Sequence, residues 1–128
     1  MPRRLALVSL VVPDYDAAIR FFTSVGFDLL EDTVIDDEKR WVRVAPPGAE
    51  TALLLACAQG QTQEAAIGNQ GGGRVWLFLE TDDFERDFNR LSENGATFEE
   101  APREEPYGRV AVWRDPWGNR WDLIQFNV

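Results

Sequence analysis

The stretch RDPWGNRWDLIQF, Arg114 to Phe126, carries an aspartate, Asp122, inside an apolar run of strand character, two residues after Arg120. A carboxylate in such surroundings needs a cation or a hydrogen-bond donor, or else it keeps a proton and can act as an acid or base. Two readings stand side by side: a salt bridge to Arg120 or Arg74, and contact with a ligand. Other residues offer less chemistry. There is one cysteine, Cys57, and no histidine, so no imidazole is at hand to generate a thiolate nucleophile. Tyr107, in EEPYGR, reads as turn packing. The glycines Gly71, Gly72 and Gly73 precede a strand and not a helix, which suits a hinge better than a phosphate loop.

The balance of charge narrows the partners. With 13 basic and 22 acidic residues the chain carries −9 at neutral pH, a field that repels nucleic-acid phosphates and anionic membranes and attracts cations. All the basic residues except Lys39 are arginines, which suit fixed ion pairs. Its 128 residues allow one domain with a sizeable core. A lone cysteine excludes an intrachain disulfide. The segment MPRRLALVSLVVPDY reads as a first strand broken at Pro13, not as a signal peptide or membrane span, and a cytoplasmic location is expected.

The elements that must position Asp122 come in two copies. Shifting the sequence by 69 residues lays Asp14 over Asp83, Gly26 over Gly95, Arg40 over Arg109 and Leu54-Leu55 over Leu123-Ile124. Each copy opens with a β-rich run (5–12; 75–81) that leads to a capping aspartate, Asp14 or Asp83. Apolar residues at 15, 18, 19 and 22, and at 84, 88 and 91, then mark one helix face, which Gly26 or Gly95 terminates. Strands are predicted over 27–33, 39–45 and 51–57, and again over 96–100, 109–114 and 120–126. The fold class is therefore α+β, two βαβββ modules, 1–57 and 74–128, forming a single domain. The polar, glycine-rich segment 58–73 reads as a linker without structure of its own. The recurrence of Arg40 and Arg109 suggests a shared salt bridge to a helix or turn, with anion binding as the alternative.

This duplicated plan, with VVPDYDAAIRFFTSVGF near the start and YGRVAVWRDPWGNRWDLIQ at the end, resembles the vicinal oxygen chelate superfamily. Its members include glyoxalase I, extradiol dioxygenases and bleomycin resistance proteins; DPWGNRWDL is similar to the signature DPDGNxxEL. The resemblance implies two curved sheets forming a cleft, and it implies that Asp122 stands where metal-dependent members carry a metal ligand. At the 69-residue offset the remaining ligand positions fall on Leu7, Leu53 and Trp76. None of these has a donor atom suited to a metal, and histidine is absent, so no metal or other cofactor is expected and metal-dependent isomerisation or ring cleavage is excluded.

Alternation along the strands puts Leu7, Ser9, Leu53, Leu55, Trp76, Phe78, Arg120, Asp122 and Ile124 in one phase as the expected ligand-binding face. Cys57 shares that phase and reads as inert. Aromatic walls with few polar groups suit a small-molecule pocket. The leading expectation is a binding protein without a metal site, taking a drug or metabolite, above all a cationic aromatic compound. The alternatives are a metal-independent lyase or isomerase with Asp122 as acid or base, and a structural or regulatory domain with its cleft closed. A homodimer is expected, since the resemblance implies that modules pair within a chain or between two.

Overall fold

The computed structural model describes residues 2–128. The chain divides into two compact units, one ending at Ile67 and the other beginning at Gly68. Among the described residues there are two sheets, three helices and nine strands, the mixed α+β architecture expected from the repeat.

In the first unit, β1 (Leu7–Val12), β4 (Ala52–Cys57), β3 (Arg40–Ala45) and β2 (Asp28–Val34) lie side by side in that order, with β1 and β4 parallel. Helix α1 (Tyr15–Ser24) begins where the Asp14 carboxylate accepts the Ala17 amide at 2.8 Å, and its chain turns away at Gly26, whose φ of 101° suits glycine. It buries Ala18, Phe21 and Phe22, with Tyr15 and Ile19 half-buried. Phe21 is an addition to the predicted face. The sheet buries Leu10, Val12, Val42, Val44, Leu53 and Leu55. The helix packs against β2, β3 and β4.

Segment 58–73 corrects an expectation. A short helix, α2 (Gly60–Ala66), stands in what reads as a structureless linker. It buries no side chain, so it carries none of the apolar periodicity by which a helix is recognised from sequence.

In the second unit, β5 (Leu77–Glu80), β9 (Arg120–Phe126), β8 (Gly108–Arg114) and β6 (Thr97–Phe98) form the sheet, and β7 (Arg103–Glu105) also pairs with β8. Helix α3 (Phe84–Glu93) is capped by Asp83, which accepts the Arg86 amide at 3.1 Å. The predicted strand 96–100 is cut short and followed by β7, so this unit departs from a strict βαβββ pattern. At the break the Glu100 carboxylate takes the Val112 amide at 2.9 Å, and Pro102 has no amide to donate.

Arg40 forms the expected salt bridge to its helix, through Asp16 of α1, whereas Arg109 pairs with Glu104 of β7; the role the two share is a different one. Arg40 stacks over the Tyr15 ring at 5.1 Å and Arg109 over the Phe84 ring at 4.9 Å, so each guanidinium sits on the first residue of its unit's main helix. Their ion pairs differ: Arg40 binds Asp16 and Asp32, whereas Arg109 reaches Glu104.

The turn between β8 and β9 is organised by one buried carboxylate. Asp115 Oδ1 accepts the amides of Trp117, Gly118 and Asn119, and Oδ2 accepts Asn119 Nδ2 and Trp121 Nε1, all at 3.0–3.1 Å. Backbone from the start of the unit closes over this turn. Gln70 donates its amide to Asn119 Oδ1, and Gly68 lies so near that a Cβ there would stand 1.8 Å from the Trp117 carbonyl oxygen. We expect Asp115→Ala to cost about 3 kcal/mol or more, because several buried donors lose their acceptor together. Asp115→Asn, which keeps one oxygen, should cost less, and the midpoints of urea unfolding measure both.

Candidate functional site

The register of β1 against β4 decides which residues share a face. Leu7 pairs with Ala52, Ser9 with Leu54 and Leu10 with Leu55, and paired residues project to the same side of a sheet. Leu53 and Leu55 therefore share the core face with Leu10, Val42 and Val44, and not the face of Leu7 and Ser9. The register thus takes Leu53 and Leu55 off the face of Leu7 and Ser9, which they were expected to share, and puts Leu54 there instead. Cys57, which pairs with Val12, changes face for the same reason.

The cause is one residue of turn length. Val44 and Leu53 are paired across β3–β4, as Trp113 and Trp121 are across β8–β9, so the first connection is a residue longer than the second. The repeat runs at 69 residues through β1, α1 and β3 but at 68 in β4, and a slip of one residue turns every side chain over. The counterpart of Asp122 is thus Leu54. Of the four positions at which the fold family holds a metal, Leu7, Leu54, Trp76 and Asp122, three still lack a donor atom, and the residues present do not fit a transition metal. Among the described residues no three histidine, cysteine or acidic side chains gather as a ligand set.

In the second unit the register keeps Phe78, Asp122 and Ile124 on one side of the sheet. Phe78 pairs with Asp122 and Glu80 with Ile124, while Val112 and Val110 flank Asp122 and Ile124 from β8. Trp76 precedes β5 and donates its amide to the Arg120 carbonyl at 2.9 Å. Its half-buried side chain stands close to Gly71, where a Cβ would come within 2.9 Å of Trp76 Cβ. Phe78, 63% exposed, is the ring in register with Asp122.

Asp122 is 7% exposed, and its Oδ1 has no hydrogen-bond partner among the described residues. The expected bridge to Arg120 does not form. Arg120 instead grips Glu99 at 2.8 and 3.0 Å and the Gly73 carbonyl at 2.9 Å. Arg114 also binds Glu99, and Arg103 is taken by Glu100 and Glu105. Burial pushes the Asp122 carboxyl above the ordinary aspartate range; the charge of Arg103 and a hydrogen bond from the Ala111 backbone oppose this, and the charge of Glu100 reinforces it.

A second feature, absent from the expected site, lies on the first unit. There a hollow of about 530 Å³ is lined by Leu7, Leu30, Trp41 and Arg43 together with Arg4 and Glu50. The bulge between Leu29 and Glu31 brings Leu30 to it. The alternation of Trp41 and Arg43 along β3 was the available signal in the sequence.

Two sheets of this topology, each with a helix on one face, define the glyoxalase fold. The chain belongs to the Glyoxalase/Bleomycin resistance protein/Dioxygenase superfamily, whose family model matches residues 4–123. It is 51% identical over 130 residues to an uncharacterized protein of Shewanella frigidimarina, covering 99% of this chain and 96% of that one. Among solved structures it resembles UcmS2, with a TM-score of 0.80 and 30% identity over 97% of this chain and 98% of that one. It also resembles TnmS3, an antibiotic binding protein from Streptomyces sp. CB03234, with a TM-score of 0.77, 36% identity and 98% of each chain covered. Among the described residues no helix is long and apolar enough to cross a membrane.

The state of Asp122 is open to a direct test. Its folded pKa lies above the unfolded value, so the stability it contributes is complete below the unfolded pKa and is lost as pH rises through the folded one. Asp122→Asn should therefore melt above the wild type at neutral pH, and the margin should close on acidification. Thermal denaturation between about pH 4 and pH 8 checks this; an asparagine variant that melts lower throughout would mean that the carboxylate has a cationic partner within the fold.

Proposed function

We propose that this protein binds a small organic molecule without a metal ion, holding a cationic group of that molecule against Asp122. The observation that carries the reading is a buried carboxylate with an unpartnered oxygen, on a face where Arg103, Arg114 and Arg120 are already engaged by glutamates. A cation brought by a ligand would relieve the cost of that buried charge. Phe78 offers an exposed ring beside it, with Ile124 and Val112 as apolar floor, and Trp76 and Arg120 one strand pair away. The likeness to an antibiotic binding protein supports a drug or metabolite as the ligand.

A carboxyl raised by burial also suits proton abstraction, which favours a metal-independent lyase or isomerase as the second reading. A turnover rate that follows a single carboxyl and vanishes in Asp122→Asn would establish it.

The binding reading is tested with flat aromatic cations and their neutral isosteres, titrated calorimetrically. Asp122→Asn should weaken the cation by about 1–3 kcal/mol and reduce its salt sensitivity. Phe78→Ala should weaken it by about 0.5–1 kcal/mol with salt sensitivity kept. Equal affinity of the cation for wild type and Asp122→Asn would refute the assignment. Purified protein should carry no stoichiometric zinc, nickel, manganese or iron by elemental analysis. We also propose a homodimer in the cytoplasm, for which light scattering at tens of micromolar should give twice the mass of the 128-residue chain.

A further inference from the structure

The hollow on the first unit has a different chemistry from the Asp122 face. Arg43 engages Glu31 through Nε at 3.0 Å, and no other hydrogen bond or ion pair of its guanidinium is formed among the described residues. The two terminal nitrogens are left as a fork of the geometry that grips a carboxylate through two parallel hydrogen bonds. Arg4 also lines the hollow, and Trp41, half-buried, sets an indole beside the apolar Leu7 and Leu30. One carboxylate, Glu50, is among the lining residues, and it is exposed. A volume of about 530 Å³ lies within the range that holds a small molecule.

The duplication sharpens the contrast. Arg43 pairs with Leu54 across β3–β4, and the equivalent pair across β8–β9 is Val112 with Asp122. Each sheet thus holds one charged and one aliphatic residue at this crossing, and the charge is positive in the first unit and negative in the second.

We propose that the hollow is a binding site for a flat aromatic acid. The guanidinium of Arg43 receives the ligand's carboxylate through Nη1 and Nη2, Arg4 adds to the positive field, and the aromatic body lies against Trp41, Leu7 and Leu30. Glu31 competes for the same guanidinium through Nε and so limits the affinity.

The probe is 2-naphthoate, with 2-naphthamide as its uncharged isostere, each titrated calorimetrically into the full chain. Wild type should bind the acid and bind the amide about tenfold more weakly or worse. Arg43→Gln should abolish that preference, and Trp41→Ala should weaken acid and amide alike. Glu31→Gln, which releases Arg43 from its competitor, should tighten the acid several-fold; this gain cannot arise from a misfolded variant. Asp122→Asn should leave naphthoate affinity as it was, so failure here and failure of the Asp122 assignment are separable. Equal affinity for acid and amide, an Arg43→Gln variant that keeps the preference, or loss of naphthoate binding in Asp122→Asn would each overturn the proposal.

Discussion

The Asp115 carboxylate is the constraint on which the second unit rests. A backbone reversal between two paired strands exposes amides that have no ladder partner, and here three of them converge on one oxygen while a side-chain amide and an indole take the other. Burial raises the pKa of Asp115, and the hydrogen bonds from Asn119 and Trp121 work against that rise. Trp121, anchored by its Nε1, stacks on Trp113 at 4.9 Å. With Trp121 committed to the core face, its neighbour Asp122 must project from the other. The position of the candidate functional carboxylate thus follows from a structural carboxylate seven residues earlier, which gives the DPWGN segment a physical role that owes nothing to a ligand.

Much of the fold was legible because local signals agree with one another. Asp14 and Asp83 cap helices, Gly26 and Gly95 stand at positive φ behind them, and period-two runs give strands. What escaped has identifiable causes. Helix α2 buries nothing and leaves no periodic trace, and the strand after Ala96 breaks at a side chain, Glu100, that substitutes for backbone pairing. The doubling of the fold was visible as a constant offset, but a constant offset cannot reveal that one turn is a residue longer. That single residue sent Leu53 and Leu55 into the core.

The candidate site was legible at Asp122 for a general reason: an acidic residue inside an apolar strand is costly enough to stand out in any sequence. Its partners were not. Arg120, two residues away and on the same side of β9, looked the natural counter-ion, yet Glu99 offers both carboxylate oxygens to its planar fork. Ion-pair choice depends on which carboxylate the sheet brings within 3 Å, and sequence spacing carries no such information. Arg43 was missed for the converse reason. An arginine alternating with valines on a strand is what a solvated face also looks like, and only the hollow beside it distinguishes the two.

Duplication gives a protein two copies of one backbone arrangement and leaves side-chain chemistry free to diverge. Residues that build the scaffold have kept their kind: aspartate at both helix caps, and an arginine on the first aromatic ring of each main helix. At the crossing of the two central strands the opposite holds, with Arg43 beside Leu54 in one sheet and Val112 beside Asp122 in the other. Charges in such half-apolar positions contribute little to folding, since each must be desolvated and an aliphatic residue there would pack at no such cost. A pure scaffold would therefore be more stable with valine or leucine at all four places. Aliphatic residues already occupy the equivalent position in each case, so the backbone accepts them. The retained charges, one of each sign, are what recognition would require of this fold, and stability would not require them.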